Sequence, residues 1–375
     1  MSQITDAEIE RLRGRLGSIV NSREAPYLTE ITRDAIRHWA WATGDRNPLY
    51  LDTAYAQAAG HADVIGPPAM LYACSRNSVG YRGGLPGVHS AFGGSLWKWH
   101  RPLSRGTEVS TTTRFTGLTD LPSRFAGRMM KQVSETQFND QDDRLVADVQ
   151  SWCLRFERAA ARERNPSTEQ PEKTEKPVQA DLPRLSAERI AEITEAYRVE
   201  EATVRQAPDW HSIQVGTQIP SMIRGPYSST CAVAFEQAWG GSFIWAHGYW
   251  YEFLSRHPGA SMRNQEGVPE AAEAVHWDAR AARRAGVASS YDFGPERVAW
   301  MATLVTNWAG PAAFLSELYC EVRKFNLSGN LTRCTGRVQS KEEANGQGLI
   351  RIELQAVDLN GDITASGWAT LRLAL

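Results

Sequence analysis

The chain runs through one order of elements twice, on either side of a charged segment at about 157–183, ERAAARERNPSTEQPEKTEKPVQADLP. That repetition limits the fold more than any single motif, because a duplicated unit has a twin against which to bury its apolar face. On the N-terminal side, Tyr27 to Ile31 reads as a short extended segment. Thr32 then caps a helix, TRDAIRHWAWATG, with Ile36, Trp39 and Ala40 at helical spacing. The punctuated stretch NPLYLDTAYAQAAGHADVIGPP leads to a buried helix, AMLYACSRNSVGY. The period then switches to two over about 94–101, 107–117, 124–138 and 145–156, with a hairpin tip at Asn139-Asp140-Gln141-Asp142.

The second side follows suit. A helix from Ser186 to about Ala202 comes first, and Gly216 to Ile223 is the matching extended segment. Ser228 begins a helix through Phe235 and Trp239, and an irregular insert runs to about Ala274. HWDARAARRAG then parallels LYLDTAYAQAAG, and GPERVAWMATLVTNWAG takes the place of GPPAMLYACSRNS. Strands are expected at about 315–324, 330–340, 347–358 and 363–374, with Asn360-Gly361-Asp362 as a hairpin turn. One buried helix followed by an antiparallel strand series, occurring twice, gives an α+β unit duplicated in one polypeptide. Pairing of the two sheets edge to edge removes two exposed edges. The expected divisions are 1–156, a linker and helix at 157–208, and 209–375.

Bulk chemistry narrows the function classes. A formal net charge of -2 gives no global electrostatic case for nucleic acid or an anionic membrane. Five scattered cysteines without a CxxC pair read as buried free thiols in a reducing compartment. The polar N-terminus lacks a signal-peptide core, and no run of about 18 apolar residues occurs, so a cytoplasmic location is expected. No Walker loop, no GxGxxG after a strand and no cluster with metal-ligand spacing is present, so neither a metal nor a bound cofactor is expected. Thirteen tryptophans, some grouped as at Trp39/Trp41 and Trp97/Trp99, either line an apolar pocket or pack the core.

The stretch ATGDRNPLYLDTAYAQAAGHADVIGPPAML resembles the MaoC-like, hydratase-2 type family of hot-dog proteins. Gly44, Asp45, Asn47, Pro48 and Asp52 match that family's GD-x-NP-x-H-x-D pattern. GLPGVHSAFGGSLWKWHRPLSRGTEV is similar to the fungal-synthase-like dehydratase branch, and the C-terminal half to the partner hot dog of two-domain acyl dehydratases. The resemblance implies two fused hot-dog domains, each a sheet wrapped round a central helix. It also implies a hydro-lyase acting on an acyl-CoA thioester as substrate, and a homodimer of such chains. One departure stands out. Where the family has a catalytic histidine, five residues after the aspartate, this chain has Tyr50. In the second half His276 occupies the histidine position, while the GD position reads Trp239-Gly240-Gly241.

Hydration of an enoyl thioester needs a base for water, an acid for the α-carbon and donors for the thioester oxygen. The resemblance makes Asp45 the principal acid/base, although locally it is also a simple turn former before Asn-Pro. Asn47 either orients Asp45 or closes the turn, and Asp52 reads first as a helix cap. Tyr50 either positions a water or is a packed aromatic; an ordinary tyrosine pKa near 10 makes it no base at neutral pH. His276 is a candidate for the missing imidazole across the halves, with His89 and His247 as further candidates. Ala69 or Met70 is the expected backbone donor at the start of the first central helix, since Pro67 and Pro68 have no N–H. Arg76, Arg82, Arg283 and Arg284 are candidates for the CoA phosphates. Two other readings stay open: a different thioester lyase on the same scaffold, and a non-catalytic partner subunit.

Overall fold

The computed structural model describes residues 4–85, 88–122, 128–157, 185–203, 208–241, 244–344 and 346–374, without the side chains of 201–203 and 374. The charged segment expected as a linker, apart from Glu157, and the first residues of the strand expected from 124 lie outside them.

Nine strands form one sheet. In chain order they are β1 (His89–Trp99), β2 (Ser110–Leu121), β3 (Met129–Asn139), β4 (Leu145–Phe156), β5 (Gln218–Arg224), β6 (Ala313–Val322), β7 (Thr332–Ala344), β8 (Gln347–Val357) and β9 (Ile363–Ala374). Their order across the sheet is β2-β3-β4-β1-β6-β9-β8-β7-β5. The two halves therefore join at β1 and β6, antiparallel from Lys98 opposite Glu317 to Gly94 opposite Glu321. Edge pairing is satisfied exactly where two separate sheets would have exposed backbone. A glycine marks the seam, since a Cβ on Gly94 would stand 2.4 Å from Cys320 O; within the second half, one on Gly367 of β9 would stand 1.9 Å from Tyr319 O of β6.

Period-two patterning explains the inner face. In β8, Ile350, Ile352, Leu354 and Ala356 are fully buried, with more open residues between them. They pack on the central helix of the second half, α3 (Gly294–Ala309), of whose 16 residues 13 are buried. Alanine, valine, leucine, methionine and tryptophan on all sides suit a helix enclosed by a sheet.

The first half departs from the expected helix. Pro68–Cys74 is a 3-10 helix, and Ser75 leaves it in extended conformation at φ -151°. Ser78 Oγ donates to Tyr72 O at 3.2 Å and Ser75 O at 2.8 Å. Serine hydroxyls of this kind compete for backbone carbonyls that a continuing helix would use. The expected extended segment at Tyr27–Ile31 is reduced to a single bridge, Glu30 with Glu108, whereas its counterpart β5 is a full strand. The C-terminal insert holds a helix, His247–Arg256, and a small hairpin of Ser261–Arg263 with Pro269–Ala271.

Two helices lie face to face between the halves: α1 (Arg33–Thr43) and α2 (Ser229–Trp239). Thr32 caps the first through Ala35 N and Ser228 caps the second through Cys231 N. Both end at a left-handed glycine, Gly44 at φ 69° and Gly240 at φ 79°. Trp39 of α1 packs on Phe235 of α2, 5.6 Å between ring centroids. Among the described residues no helix is long and apolar enough to cross a membrane.

Candidate active site

Asp45 follows the left-handed turn that ends α1. Its N–H donates to Ala40 O at 2.8 Å, which turns the chain inward and leaves the residue 4% exposed. Oδ1 accepts the Asn47 N–H at 3.0 Å. Oδ2 accepts the Thr303 hydroxyl at 2.8 Å, and Thr303 belongs to α3 in the other half. The turn is held from behind by Arg224, at the end of β5. Its Nε donates to Thr43 O at 3.0 Å and its Nη2 to Gly44 O at 3.1 Å, while Nη1 pairs with Glu200 at 2.9 Å. The carboxyl group is thus fixed by three segments far apart in sequence.

Electrostatics follow from that burial. Desolvation pushes the Asp45 carboxyl above its ordinary range; the Asn47 N–H, the Thr303 hydroxyl and the Arg224 charge pull part of the way back, and Glu200 pushes up. Tyr50 is buried, and its hydroxyl lies beside Thr306. Burial, then the Asp45 charge, drives its pKa upward, while the hydrogen bond with Thr306 pulls part of the way back. One turn beyond Thr303, Asn307 is 8% exposed, and neither its Oδ1 nor its Nδ2 has a hydrogen-bond partner among the described residues. Residues four apart share a helix face, so this unpaired amide lies on the Thr303 side of α3.

The remaining sequence candidates are dispersed. Asn47 accepts the Leu49 N–H at 3.1 Å, and Asp52 the Tyr55 N–H at 3.1 Å, so each caps a short helix. Among the described residues the hydrogen-bond partners of the Asp45 carboxyl are Asn47 and Thr303, and no histidine is one of them. His276 bonds Tyr291 O through Nδ1 at 2.8 Å and stacks on Phe293 at 3.7 Å, so the cross-half pairing with Asp45 is not formed. Burial lowers its pKa to about 4. His89 begins β1 against the Phe156 ring, and His247 is exposed at φ 55°. The Met70 N–H already donates to Pro67 O at 2.9 Å, which removes it as a free donor and leaves Ala69 of that pair. Arg76 bonds Ala25 O at 2.8 Å and Gly241 O at 2.7 Å and borders an open cleft of about 400 Å³. Arg82 is part-buried, its carbonyl taken by Arg155. Arg283 and Arg284 lie on the short helix Ala279–Arg284, the second bonded to Arg263 O. Asp45 lines neither that cleft nor a second of about 870 Å³ beside β6 and β9. Among the described residues no group of three His, Cys, Asp or Glu is placed to hold a metal ion.

Thr303, Asn307 and Arg224 escaped the sequence reading. Thr303 and Asn307 lie in GPERVAWMATLVTNWAG, which the sequence presents as a helix, and a polar residue one turn from another on an otherwise apolar helix is the available signal.

This is the architecture of a double hot-dog protein, with an acidic site built at the contact between its halves. The FAS1-like, dehydratase domain region family matches residues 20–149. A UPF0336 protein of Thermobifida fusca is 35% identical over 117 residues, 30% of this chain and 75% of its own length. A probable enoyl-CoA hydratase alpha subunit of Thermomonospora curvata is 29% identical over 138 residues, 32% of this chain and 43% of that protein. Among solved structures, a MaoC-like dehydratase superposes with a TM-score of 0.66 at 16% identity, covering 97% of this chain and 99% of its own. A Mycobacterium tuberculosis protein with a double hotdog fold gives 0.57 at 13% identity, covering 96% of each. The chain belongs to one family with the UPF0336 protein of Thermobifida fusca, carries a FAS1-like dehydratase domain region in its N-terminal half, and shares the double hot-dog fold of the MaoC-like dehydratase structure.

Proposed function

We propose that the chain is a hydro-lyase that adds or removes water at the α,β double bond of an enoyl thioester, with Asp45 as the acid/base. The observation that carries this reading is the Asp45 carboxyl, buried and held by Thr303 of the opposite half. A carboxylate can take a proton from water as its oxygen joins the β-carbon, then return that proton to the α-carbon. One group then balances the addition, and no histidine is needed at Tyr50. Burial favours such a role, because a carboxyl raised toward neutral pH is both a better base and a usable acid. Tyr50, held protonated, offers a hydrogen bond to the water, and the Asn307 amide one to the thioester oxygen. The enoyl-CoA hydratase name of the Thermomonospora relative supports the substrate class.

That relative is named an alpha subunit, which favours a second reading in which a companion chain completes the site. Turnover separates the two. The purified chain alone is assayed on crotonyl-CoA, trans-2-octenoyl-CoA and cinnamoyl-CoA. The reading expects hydration of at least one, lost by at least about a hundredfold in Asp45→Ala. Binding without turnover gives the site to the companion reading, and turnover indifferent to Asp45→Ala removes Asp45 from the chemistry.

A further inference from the structure

The turns that end α1 and α2 are each held by an arginine of the opposite half. Arg224, at the end of β5, donates to Thr43 O at 3.0 Å and to Gly44 O at 3.1 Å. Arg76 donates to Gly240 O at 3.3 Å and to Gly241 O at 2.7 Å. The first turn leads into Asp45, and the second has Gly241 at that place. The two arginines differ in what stands behind them. Arg76 turns its Nε to a backbone carbonyl, Ala25 O, at 2.8 Å. Glu24, Glu236 and Glu273 lie in its field, but among the described residues no carboxylate forms an ion pair with it. Arg224 turns its Nη1 to a carboxylate, Glu200 Oε2, at 2.9 Å, with the two side chains 4% and 13% exposed. An arginine on carbonyls is enough to hold such a turn. The paired carboxylate stands behind the turn that carries the aspartate.

Glu200 comes from outside the nine-stranded sheet. It lies near the end of the helix Ala187–Thr203, between the two halves in sequence. Ile193 of that helix is buried in a cluster with Ile223 and Leu331, and the Tyr197 hydroxyl donates to Gly225 O at 2.7 Å. Both contacts seat the helix on the strand that ends in Arg224, with Glu200 at the guanidinium. The charges that act on the Asp45 carboxyl are Arg224, which favours its ionised form, and Glu200, which opposes it. The Tyr50 hydroxyl is beside it, and Tyr197 and Cys334 lie beside Arg224. A buried arginine without Glu200 would take Asp45 as its counter-ion.

We propose that Glu200 is a positioning residue for the hydration, pairing with Arg224 so that the guanidinium grips the Asp45 turn without becoming the counter-ion of the Asp45 carboxylate. This rests on the reading of Asp45 given above. That reading needs a carboxyl that both takes a proton and gives it back, and an unneutralised arginine beside it works against the protonated form. Glu200 acts through Arg224 and touches no reacting atom. The helix Ala187–Thr203 thereby belongs to the working site of the first half.

The test compares Glu200→Gln, Glu200→Asp and Tyr197→Phe with wild type in the full chain. It follows kcat and kcat/KM for trans-2-octenoyl-CoA against pH, with melting checked at each pH. Glu200→Gln keeps an acceptor for Arg224 and removes the charge. Its acid limb is expected to lie at least about 0.3 pH unit below that of wild type, because the Arg224 charge is left to favour the carboxylate. Its kcat on the alkaline plateau is expected to fall at least about twofold with KM unchanged, because a less basic carboxylate on a looser turn is the weaker base. Glu200→Asp restores the charge and should return the limb to the wild-type position. Tyr197→Phe removes another anchor of the same helix and should leave limb and kcat unchanged. Titration of the Asp45 carboxyl by carbon-13 NMR, assigned by its absence from Asp45→Asn, reads the same shift without turnover. A Glu200→Gln limb that coincides with wild type, a shift that Glu200→Asp does not reverse, or an equal shift in Tyr197→Phe overturns the proposal while Asp45 stands. Asp45→Asn with full turnover overturns the Asp45 reading instead.

Discussion

Replacing Thr303 with valine removes one hydroxyl and keeps the branched shape of the side chain. The Thr303 hydroxyl donates to Asp45 Oδ2 at 2.8 Å, and both residues are buried. A hydrogen bond to a charged acceptor contributes about 1.5–3 kcal/mol. All of it favours the ionised carboxyl, so its loss raises a pKa that burial has already raised. At 1.36 kcal/mol per pH unit, the rise is about one to two pH units. Hydration needs the carboxylate as base, so activity falls as pH falls through that pKa. The acid limb of kcat/KM for trans-2-octenoyl-CoA should therefore move up by about one to two pH units in Thr303→Val. Below the wild-type limb the variant should be about ten- to a hundredfold slower, and on the alkaline plateau the two should converge. A variant whose acid limb coincides with wild type refutes the coupling between Thr303 and Asp45.

Three other outcomes follow from the same contacts. The folded-state pKa of Asp45 lies above its unfolded value, so its contribution to stability is fully present below the unfolded pKa and is lost as pH rises through the folded one. Asp45→Asn, which carries no charge, should melt above wild type at pH 8 and lose that advantage at pH 4 by calorimetry; a constant difference contradicts it. Arg224→Met strips the turn at Thr43 and Gly44 of two donors and leaves the Glu200 carboxylate without its buried partner. It should cost about 3 kcal/mol or more in urea unfolding and lower turnover as well. Gly367→Ala drives a methyl into Tyr319 O between β9 and β6 of the second half, and should lower stability by at least about 1–3 kcal/mol without altering the pH limb.

What the sequence discloses is what local chemistry writes into it. The duplication shows because each half repeats a capped helix, a punctuated turn and period-two strands. Thr32 and Ser228 were readable as caps because a cap acts on a neighbour three residues away. The turn at Asp45 is legible because its glycine and Asn-Pro neighbours shape it, whereas the chemical role of its carboxyl comes from the family resemblance alone. The donor to Asp45 is not legible, because Thr303 is 258 residues away and reaches it only once the halves have docked. Arg224 is hidden in the same way, as an arginine ending a strand of the opposite half. The first central helix departs for a different reason: AMLYACSRNSVGY has helical spacing, but Ser78 Oγ bonds the Tyr72 and Ser75 carbonyls and the helix ends at Cys74.

The single-turnover rate of octenoyl-CoA hydration by Asp45→Asn, beside wild type on the alkaline plateau and with melting checked at the same pH, bears most directly on whether this carboxyl moves the proton. A rate lower by at least about a hundredfold in a folded variant is the predicted result. An equal rate contradicts it and leaves Asp45 a turn-forming residue of the fold.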